Sequence, residues 1–461
     1  MMLKITLILF IFYIFFQLLY ILYPLFAVKK VKKIKKLEKE IGISVIIPAY
    51  NEEKIILDCL QGIVNLDYEK YEILFVNDGS TDQTLSVLMN HLELEPICNK
   101  LPAVKIPHED IKDIYQSKRY PKIFLIDKEN GGKADALNAG TEYADKEIVV
   151  TLDADSVLDP QSLNAINLSF QDKNIVAAGG MVQISQGFRG NLMKPRPTFK
   201  IPGIVRYQIV QYMTSFYLHK LTQAKLNSII VIAGAFGAFR KQALFDANGY
   251  RKTVGEDMDI TLKMHKLMKT NKKYKNSRLA FIPQAICYTE CPQNFKELYN
   301  QRIRWQKAFV DCVFHFKKSF FRQLGFRLSF FFLFESLLLG TLNAFPIIII
   351  PFVLLFTGEN YMVAVALFSV TVFLSVYQSI VTIIIGERFG TIYSNKHFKK
   401  VLFFIPFETI SYRLMGLLFV ITGTIMYFKN KDSWYVSKRI GNHPQTVASK
   451  QIELMYENKA V

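Results

Sequence analysis

Residues 43–48 read ISVIIP, a run of mostly β-branched residues that ends at a proline. An apolar run of this length is typical of a strand buried on both faces of a sheet. Similar runs follow at 72–77 (EILFVN), 122–126 (KIFLI) and 147–152 (EIVVTL), with helical stretches between them at 53–64, 83–94 and 133–144. Strands that alternate with helices predict an α/β domain with a mostly parallel sheet. Its ligand site is expected at the carboxyl ends of the strands.

Acidic motifs occur where such strands end. Asp78 lies in VNDGSTD, Asp153 and Asp155 lie in LDADS, and Glu256 and Asp257 lie in GEDMD. Carboxylates this far apart in sequence converge only in a folded site, where a divalent cation and a phosphate ester would neutralise them. Mg²⁺ or Mn²⁺ suits an Asp-x-Asp turn, because these cations prefer hard oxygen ligands and need one or two protein carboxylates beside phosphates. Alone the turn is a weak signal, since turns are rich in aspartate.

Long apolar segments flank these motifs. Residues 3–28 are long enough to cross a bilayer and are followed by a lysine cluster at 29–39, which predicts that the cluster lies on the cytoplasmic side. Three more segments follow at 328–356, 361–385 and 402–428, and the basic loop 387–400 is expected inside. A single crossing by 402–428 would put a basic tail outside. That segment therefore either crosses once, lies partly in the interface, or forms a short hairpin.

Composition excludes several classes of protein. The 461 residues carry 57 basic and 39 acidic side chains, a net charge of +18, which fits an anionic membrane surface or an anionic substrate. No zinc-finger, RNP-like or helix-turn-helix pattern appears, which argues against a nucleic-acid partner. The five cysteines lack a metal-binding spacing and are expected to be reduced thiols.

The order of the motifs resembles the inverting family 2 glycosyltransferases, in the processive, membrane-embedded branch that makes polysaccharides. The resemblance spans residues 44–310. It implies a GT-A-type fold, which is Rossmann-like, in a cytoplasmic domain with N- and C-terminal transmembrane helices in the plasma membrane. Asp257 would act as general base beside Glu256, and Asp155 would be the ligand of Mg²⁺ or Mn²⁺.

The resemblance also assigns residues to the nucleotide-sugar donor. Asp153 would contact the ribose and diphosphate, and Asp78 would frame the uracil and ribose with the PAYNEE segment. The donor-binding residues are then Pro48, Tyr50, Glu52, Asp78, Lys133 and Asp153. Lys133, in GGKADALNAG, also begins a predicted helix, where a phosphate is favoured.

Two further motifs are assigned to the acceptor side of the site. Residues 301–305 read QRIRW and resemble the QxxRW signature of processive synthases, in which Gln301 can hydrogen-bond, Arg304 can balance diphosphate charge and Trp305 can stack on a sugar. Residues 233–240 read AGAFGAFR, and small residues there would let a sugar ring approach the backbone.

Within the family, the motifs look most like bacterial poly-β-1,6-N-acetylglucosamine synthases, with hyaluronan, chitin and cellulose synthases more distant. UDP-N-acetylglucosamine is therefore the expected donor, and a growing polysaccharide is the acceptor. Membrane lipids and a small membrane accessory subunit are further implied partners. Two alternatives stay open: a non-processive transferase acting on a lipid-linked acceptor, and a catalytically inactive scaffolding subunit.

These predictions divide the chain into six parts. They are a transmembrane helix (1–28), a basic linker (29–42), a catalytic core (43–255), an acceptor-side region with QxxRW (256–327), a C-terminal membrane region (328–428) and a polar tail (429–461). The segment 96–121 is expected to be a surface insertion without a chemical role.

Overall fold

The computed structural model describes residues 2–28, 34, 36–97, 106–190, 195–334, 356 and 361–430. These residues form two compact units. The sheet unit contains the described residues of Lys33–Pro195 and Val231–Cys291. The helical unit contains those of Met1–Lys32, Arg196–Ile230 and Pro292–Tyr435.

Ten described strands form the central sheet of the sheet unit. In chain order they are β1 (Ile43–Ala49), β2 (Tyr71–Asp78), β3 (Leu94–Pro96), β4 (Ile111–Ser117), β5 (Ile123–Lys128), β6 (Ile148–Leu152), β7 (Ser156–Leu158), β8 (Ile175–Ile184), β9 (Phe236–Arg240) and β10 (Arg278–Thr289). Their order across the sheet is β3-β4-β5-β2-β1-β6-β9-β8-β10-β7.

The centre of this sheet is parallel. Strands β5, β2, β1 and β6 run in one direction, and β8 pairs parallel with β10. Strand β9 lies antiparallel between β6 and β8, and antiparallel strands also form the two edges. Every residue of β6 and β8 is buried, which explains why these strands read as continuous apolar runs. The predicted α/β fold with a mostly parallel central sheet is confirmed.

Helices connect the strands and cover the sheet. In this unit they are α2 (Ile56–Val64), α3 (Thr84–Leu92), α4 (Lys133–Tyr143), α5 (Ser162–Phe170), α8 (Lys241–Asp246) and α9 (Glu256–Thr270). The parallel pairing of β2, β1 and β6 brings their carboxyl ends to the same edge of the sheet. We refer to this as the carboxyl edge, where Asp78 and Asp153 lie.

The helical unit contains the apolar segments. Its described helices are α1 (Met2–Ala27), α6 (Gly203–Thr214), α7 (Leu221–Lys225), α10 (Phe295–Phe316), α11 (Phe326–Phe330), α12 (Tyr361–Arg388) and α13 (Asn395–Lys429). A π-helical turn, Ser215–Lys220, joins α6 to α7. Among the described helices, α1 over Phe10–Ala27 and α12 are long and apolar enough to cross a membrane, each with mean hydropathy 2.0. Together they suggest membrane association.

The C-terminal ends of α1 and α12 lie next to each other. Arg388 at the end of α12 donates a hydrogen bond from Nη1 to the Leu25 carbonyl near the end of α1, at 2.7 Å. Tyr13 and Ser375 contact each other through their hydroxyls at 3.5 Å further along. The basic segments 29–39 and 387–400 therefore begin at the same end of this helix pair. This agrees with the prediction that both lie on the cytoplasmic side of the membrane.

Two predictions need correction. Part of the expected insertion 96–121 belongs to the sheet, because β4 pairs antiparallel with β5 on one side and with the edge strand β3 on the other. The hairpin interpretation of 402–428 is wrong, since these residues lie in the single helix α13, which contains Pro406. The predicted segment 328–356 lies mostly outside the described residues, as do most of the lysine cluster and of the tail.

Candidate active site

Two of the predicted motifs meet around one ammonium group at the carboxyl edge. Lys133 is the first residue of α4, and its Nζ lies 2.7 Å from Asp153 Oδ1 and 2.9 Å from Glu256 Oε1. Asp153 follows β6, and Glu256 begins α9. The structure therefore brings LDADS and GEDMD together, although about a hundred residues separate them in the sequence.

Asp257 is held by backbone donors. Gly234 N–H donates to Asp257 Oδ2 at 3.1 Å, and Met258 N–H donates to Oδ1 at 2.8 Å. A Cβ atom at position 234 would lie 3.1 Å from Lys133 Nζ and 3.4 Å from Asp257 Cβ, so this close approach favours glycine. Gly234, Glu256 and Asp257 line a cavity of about 10 Å³, which has room for about one water molecule.

The environment of Asp257 makes its carboxylate a stronger base. Burial raises the pKa of Asp257, and the neighbouring Glu256 charge raises it further. The Lys133 ammonium and the N–H groups of Met258 and Gly234 act in the opposite direction, and the pKa stays above its ordinary value. A carboxylate with a raised pKa accepts a proton more readily in a transition state.

Asp155 has the donor chemistry that a divalent cation needs. Its side chain is buried, and Oδ1 accepts hydrogen bonds from Thr289 Oγ1 and Ser156 Oγ, both at 3.2 Å. No group of three His, Cys, Asp or Glu side chains that could hold a metal occurs within the described part of the chain. The Asp155 carboxylate is a hard oxygen ligand of the kind that Mg²⁺ takes beside phosphates and water, and its role as metal ligand stays a prediction.

The Asp78 carboxylate is bound within the protein. Its Oδ1 accepts from Lys128 Nζ at 2.8 Å and from Gly131 N–H at 3.0 Å, and Oδ2 accepts from Gly132 N–H at 2.8 Å. In return, Asn130 Nδ2 donates to the Asp78 carbonyl at 2.7 Å. Asp78 thus fixes the loop that leads into Lys133. Its contact with uracil stays a prediction.

The sequence-based predictions give no role to Lys128, although its ammonium group lies at the centre of the hydrogen bonds around Asp78. Lys128 is fully buried at the end of β5, with Nζ 2.8 Å from Asp78 and 2.5 Å from Asp135. A Cβ at Gly131 would lie 2.3 Å from Asp135 Cγ, so the loop passes close to the second carboxylate. A signal was available, because a lysine that ends a strand buried on both faces requires an acidic partner.

Replacing Lys128 by methionine is expected to destabilise the sheet unit by about 3–5 kcal/mol, because the buried Asp78 carboxylate and the partly buried Asp135 carboxylate lose their shared cation. The matched control is Lys112→Met, whose exposed ion pair with Glu129 at 3.2 Å is worth about 1 kcal/mol or less. Denaturant unfolding of both variants measures the difference. Equal midpoints for Lys128→Met and Lys112→Met would contradict this account of the network.

The PAYNEE segment packs against the VNDGSTD loop. Asn51, with φ of 58°, accepts from Thr81 N–H through Oδ1 at 2.8 Å, and Glu52 N–H donates to Thr84 Oγ1 at 2.8 Å. Pro48 lies within β1, and Tyr50 is 37% exposed just beyond its end. Pro48, Tyr50 and Glu52 therefore lie at the carboxyl edge, while their contacts with a donor stay predictions.

The QRIRW motif lies on α10 in the helical unit. Trp305 is 39% exposed, and the Arg302 side chain is buried with its guanidinium carbon 4.0 Å from the Trp305 ring centre. Gln301 Oε1 is buried, and Arg304 is half-buried. The convergence of Gln301, Arg304 and Trp305 with the acidic motifs stays a prediction.

Two family models match this chain. Glycosyl transferase family 2 matches residues 44–104, and Glycosyl transferase family group 2 matches residues 148–377. The first match covers the PAYNEE and VNDGSTD motifs, and the second runs from LDADS through GEDMD and QRIRW into α12. Together they cover well over half of the chain.

Curated relatives agree with these models. The poly-beta-1,6-N-acetyl-D-glucosamine synthase of Staphylococcus aureus (strain COL) is 28% identical over 271 residues, which are 58% of this chain and 54% of that protein. The synthase of the same name from Staphylococcus epidermidis is 29% identical over 270 residues, with the same shares. The match with this chain therefore spans about half the length of these curated relatives.

A solved structure shares the fold. The mannosyltransferase PcManGT from Pyrobaculum calidifontis, in complex with GDP-Man and Mn²⁺, aligns with a TM-score of 0.53 over 93% of this chain and 99% of that one, at 16% identity. This likeness concerns the fold alone. The family models and the curated relatives show that this chain belongs to glycosyltransferase family 2.

Proposed function

We propose that this chain polymerises a sugar from a UDP-sugar, UDP-N-acetylglucosamine, into a polysaccharide with inversion at each transfer. The observation that carries the proposal is the Asp257 site. One carboxylate with a raised pKa lies beside a lysine that joins the donor-side Asp153 to the acceptor-side Glu256. A single basic carboxylate suits one direct displacement.

The transfer uses Asp257 as general base. As the acceptor hydroxyl oxygen attacks the anomeric carbon, its proton passes to the Asp257 carboxylate. The new C–O bond forms while the bond from the anomeric carbon to the diphosphate oxygen breaks, and the electron pair leaves with UDP. The Gly234 and Met258 N–H groups hold both oxygens of Asp257, so the carboxylate is oriented before the acceptor arrives.

The donor would bind at the carboxyl edge. The ends of β1, β2 and β6 supply Tyr50, the Asp78 loop and Asp153, which suits a nucleotide at the switch point of a doubly wound sheet. Asp155, with Asp153, would hold Mg²⁺ or Mn²⁺, which supplies charge neutralisation for the leaving diphosphate. Lys133 would add a fixed positive charge at the start of α4.

The acceptor and product assignments rest on similarity and on composition. The relatives are named as poly-β-1,6-N-acetylglucosamine synthases, and their match covers 58% of this chain. Gln301, Arg304 and Trp305 would contact the leaving diphosphate and the acceptor sugar. The apolar helices α1 and α12 favour a membrane enzyme that acts at the cytoplasmic face and passes its product across.

The test is turnover by the full-length chain in nanodiscs with a panel of UDP-sugars and Mg²⁺ or Mn²⁺. We expect UDP-N-acetylglucosamine to give a polymer that a β-1,6-specific hexosaminidase digests, and EDTA to stop synthesis. Exclusive use of UDP-glucose would overturn the donor assignment. Addition of a single sugar per acceptor would overturn polymerisation and favour a non-processive transferase.

A further inference from the structure

We propose that Arg302 is a positioning residue that holds the Trp305 indole in place for stacking on the acceptor sugar. This inference rests on the proposed function, in which Trp305 contacts the acceptor. It assigns a role to a residue between Gln301 and Arg304 that the motif leaves undefined.

The contact between the two side chains carries the proposal. Arg302 and Trp305 are three residues apart on α10 and are therefore neighbours on the helix surface. The Arg302 guanidinium carbon lies 4.0 Å from the Trp305 ring centre, which is a close cation–π contact. One face of the indole is thereby covered, while 39% of the Trp305 surface stays exposed. A ring supported on one side and open elsewhere suits stacking against a sugar.

The remaining contacts of Arg302 do not explain its burial. The residue is only 6% exposed, and its Nε and Nη2 atoms are buried with no hydrogen-bond acceptor among the residues that the structure describes. No ion pair of Arg302 occurs in the same part of the chain. Buried donors without acceptors cost free energy. The close contact with the Trp305 ring gives the guanidinium an aromatic partner at this place.

The chemistry of the guanidinium fits this role better than an ammonium would. It is planar and more weakly hydrated than a lysine head group, so it stacks flat on an aromatic ring in a buried setting. A tryptophan held in this way loses less conformational entropy when a sugar binds, because its side chain is already ordered. Acceptor affinity should therefore depend on Arg302.

Tryptophan fluorescence tests the contact directly. The chain has two tryptophans, Trp305 and Trp434, so Trp434→Phe leaves Trp305 as the single emitter. In this background, Arg302→Ala is expected to raise the acrylamide quenching constant about twofold, because the face that the guanidinium covered is opened. Arg302→Lys should give a smaller rise. Arg322→Ala, which removes an exposed arginine of the same unit, should give none.

Affinity for an N-acetylglucosamine oligosaccharide, measured by titration of the same fluorescence, tests the role. We expect the Kd of Arg302→Ala to rise about 3- to 30-fold, as the loss of a cation–π contact implies. The melting temperature should stay close to that of the Arg322→Ala control. Unchanged quenching in Arg302→Ala would overturn the contact, and increased quenching with unchanged oligosaccharide affinity would overturn the role.

The two proposals fail in different ways. A Trp434→Phe parent that binds the oligosaccharide but transfers no sugar would contradict the proposed function and leave the positioning role supported. Strong quenching of Trp305 by brominated lipids in nanodiscs, unaffected by the oligosaccharide, would show an indole that anchors in the membrane, and this outcome overturns the inference.

Discussion

Asp257→Asn is expected to lower kcat about 10³-fold while donor affinity changes by about threefold or less, because asparagine keeps the shape of the side chain but does not accept the proton. Asparagine offers one amide oxygen to the two N–H donors, so the variant keeps the hydrogen bond from either Gly234 or Met258 and loses the other. Single-turnover transfer from UDP-N-acetylglucosamine, with donor binding measured separately, separates the chemical step from binding.

The matched control for this variant is Asp110→Asn. Asp110 is an exposed aspartate of the sheet unit, and its replacement should leave both transfer and donor affinity unchanged. An equal loss of transfer in the two variants would mean that the assay reflects the fraction of folded protein and not the chemical step. Undiminished synthesis by Asp257→Asn would contradict its role as base and would favour an inactive scaffolding subunit.

Lys133→Met is expected to lower kcat/KM about 10²-fold and to move the acidic limb of its pH profile to higher pH. Burial favours the neutral amine, but the charges of Asp153 and Glu256 outweigh burial and raise the pKa of Lys133, so the native lysine stays protonated. That charge lowers the pKa of Asp257. Without it, Asp257 binds its proton more tightly, and the base form appears only at higher pH.

Two control variants test whether the shift in the pH profile comes from the loss of the Lys133 charge. Lys133→Arg keeps the positive charge and should keep the position of the acidic limb, even if the larger head group beside Gly234 slows the reaction. Lys118→Met removes an exposed ion pair with Glu95 and should match the native profile. A Lys133→Met profile whose acidic limb stays in place would contradict the electrostatic role of this lysine.

The parallel part of the sheet formed by β5, β2, β1 and β6 could be predicted from the sequence. The apolar runs that became β1, β2, β5 and β6 are each buried on both faces, so their composition is dictated by their place in the sheet. The acidic turns at Asp78 and Asp153 follow from the same pattern, because the carboxyl ends of neighbouring parallel strands share an edge.

Other features depend on contacts that a single sequence does not display. Strand β4, next to the edge strand β3, is polar and irregularly patterned because only two of its seven residues are buried, and it therefore resembles a surface loop. The family resemblance assigns Asp78 to the donor, whereas its partners Lys128 and Gly131 become visible only when β5 lies beside β2. Arg302 receives no role from the sequence because the QxxRW signature leaves its second position undefined.

The charges gathered at the carboxyl edge have a consequence for a chain whose net charge is +18. Among the side chains described above for this edge, carboxylates outnumber ammonium groups seven to two: Glu52, Asp78, Asp135, Asp153, Asp155, Glu256 and Asp257 against Lys128 and Lys133. A pyrophosphate entering alone would meet repulsion from this local surplus. Uptake of the anionic substrate is therefore thermodynamically linked to uptake of a counterion, and each should strengthen the other's binding by the same factor.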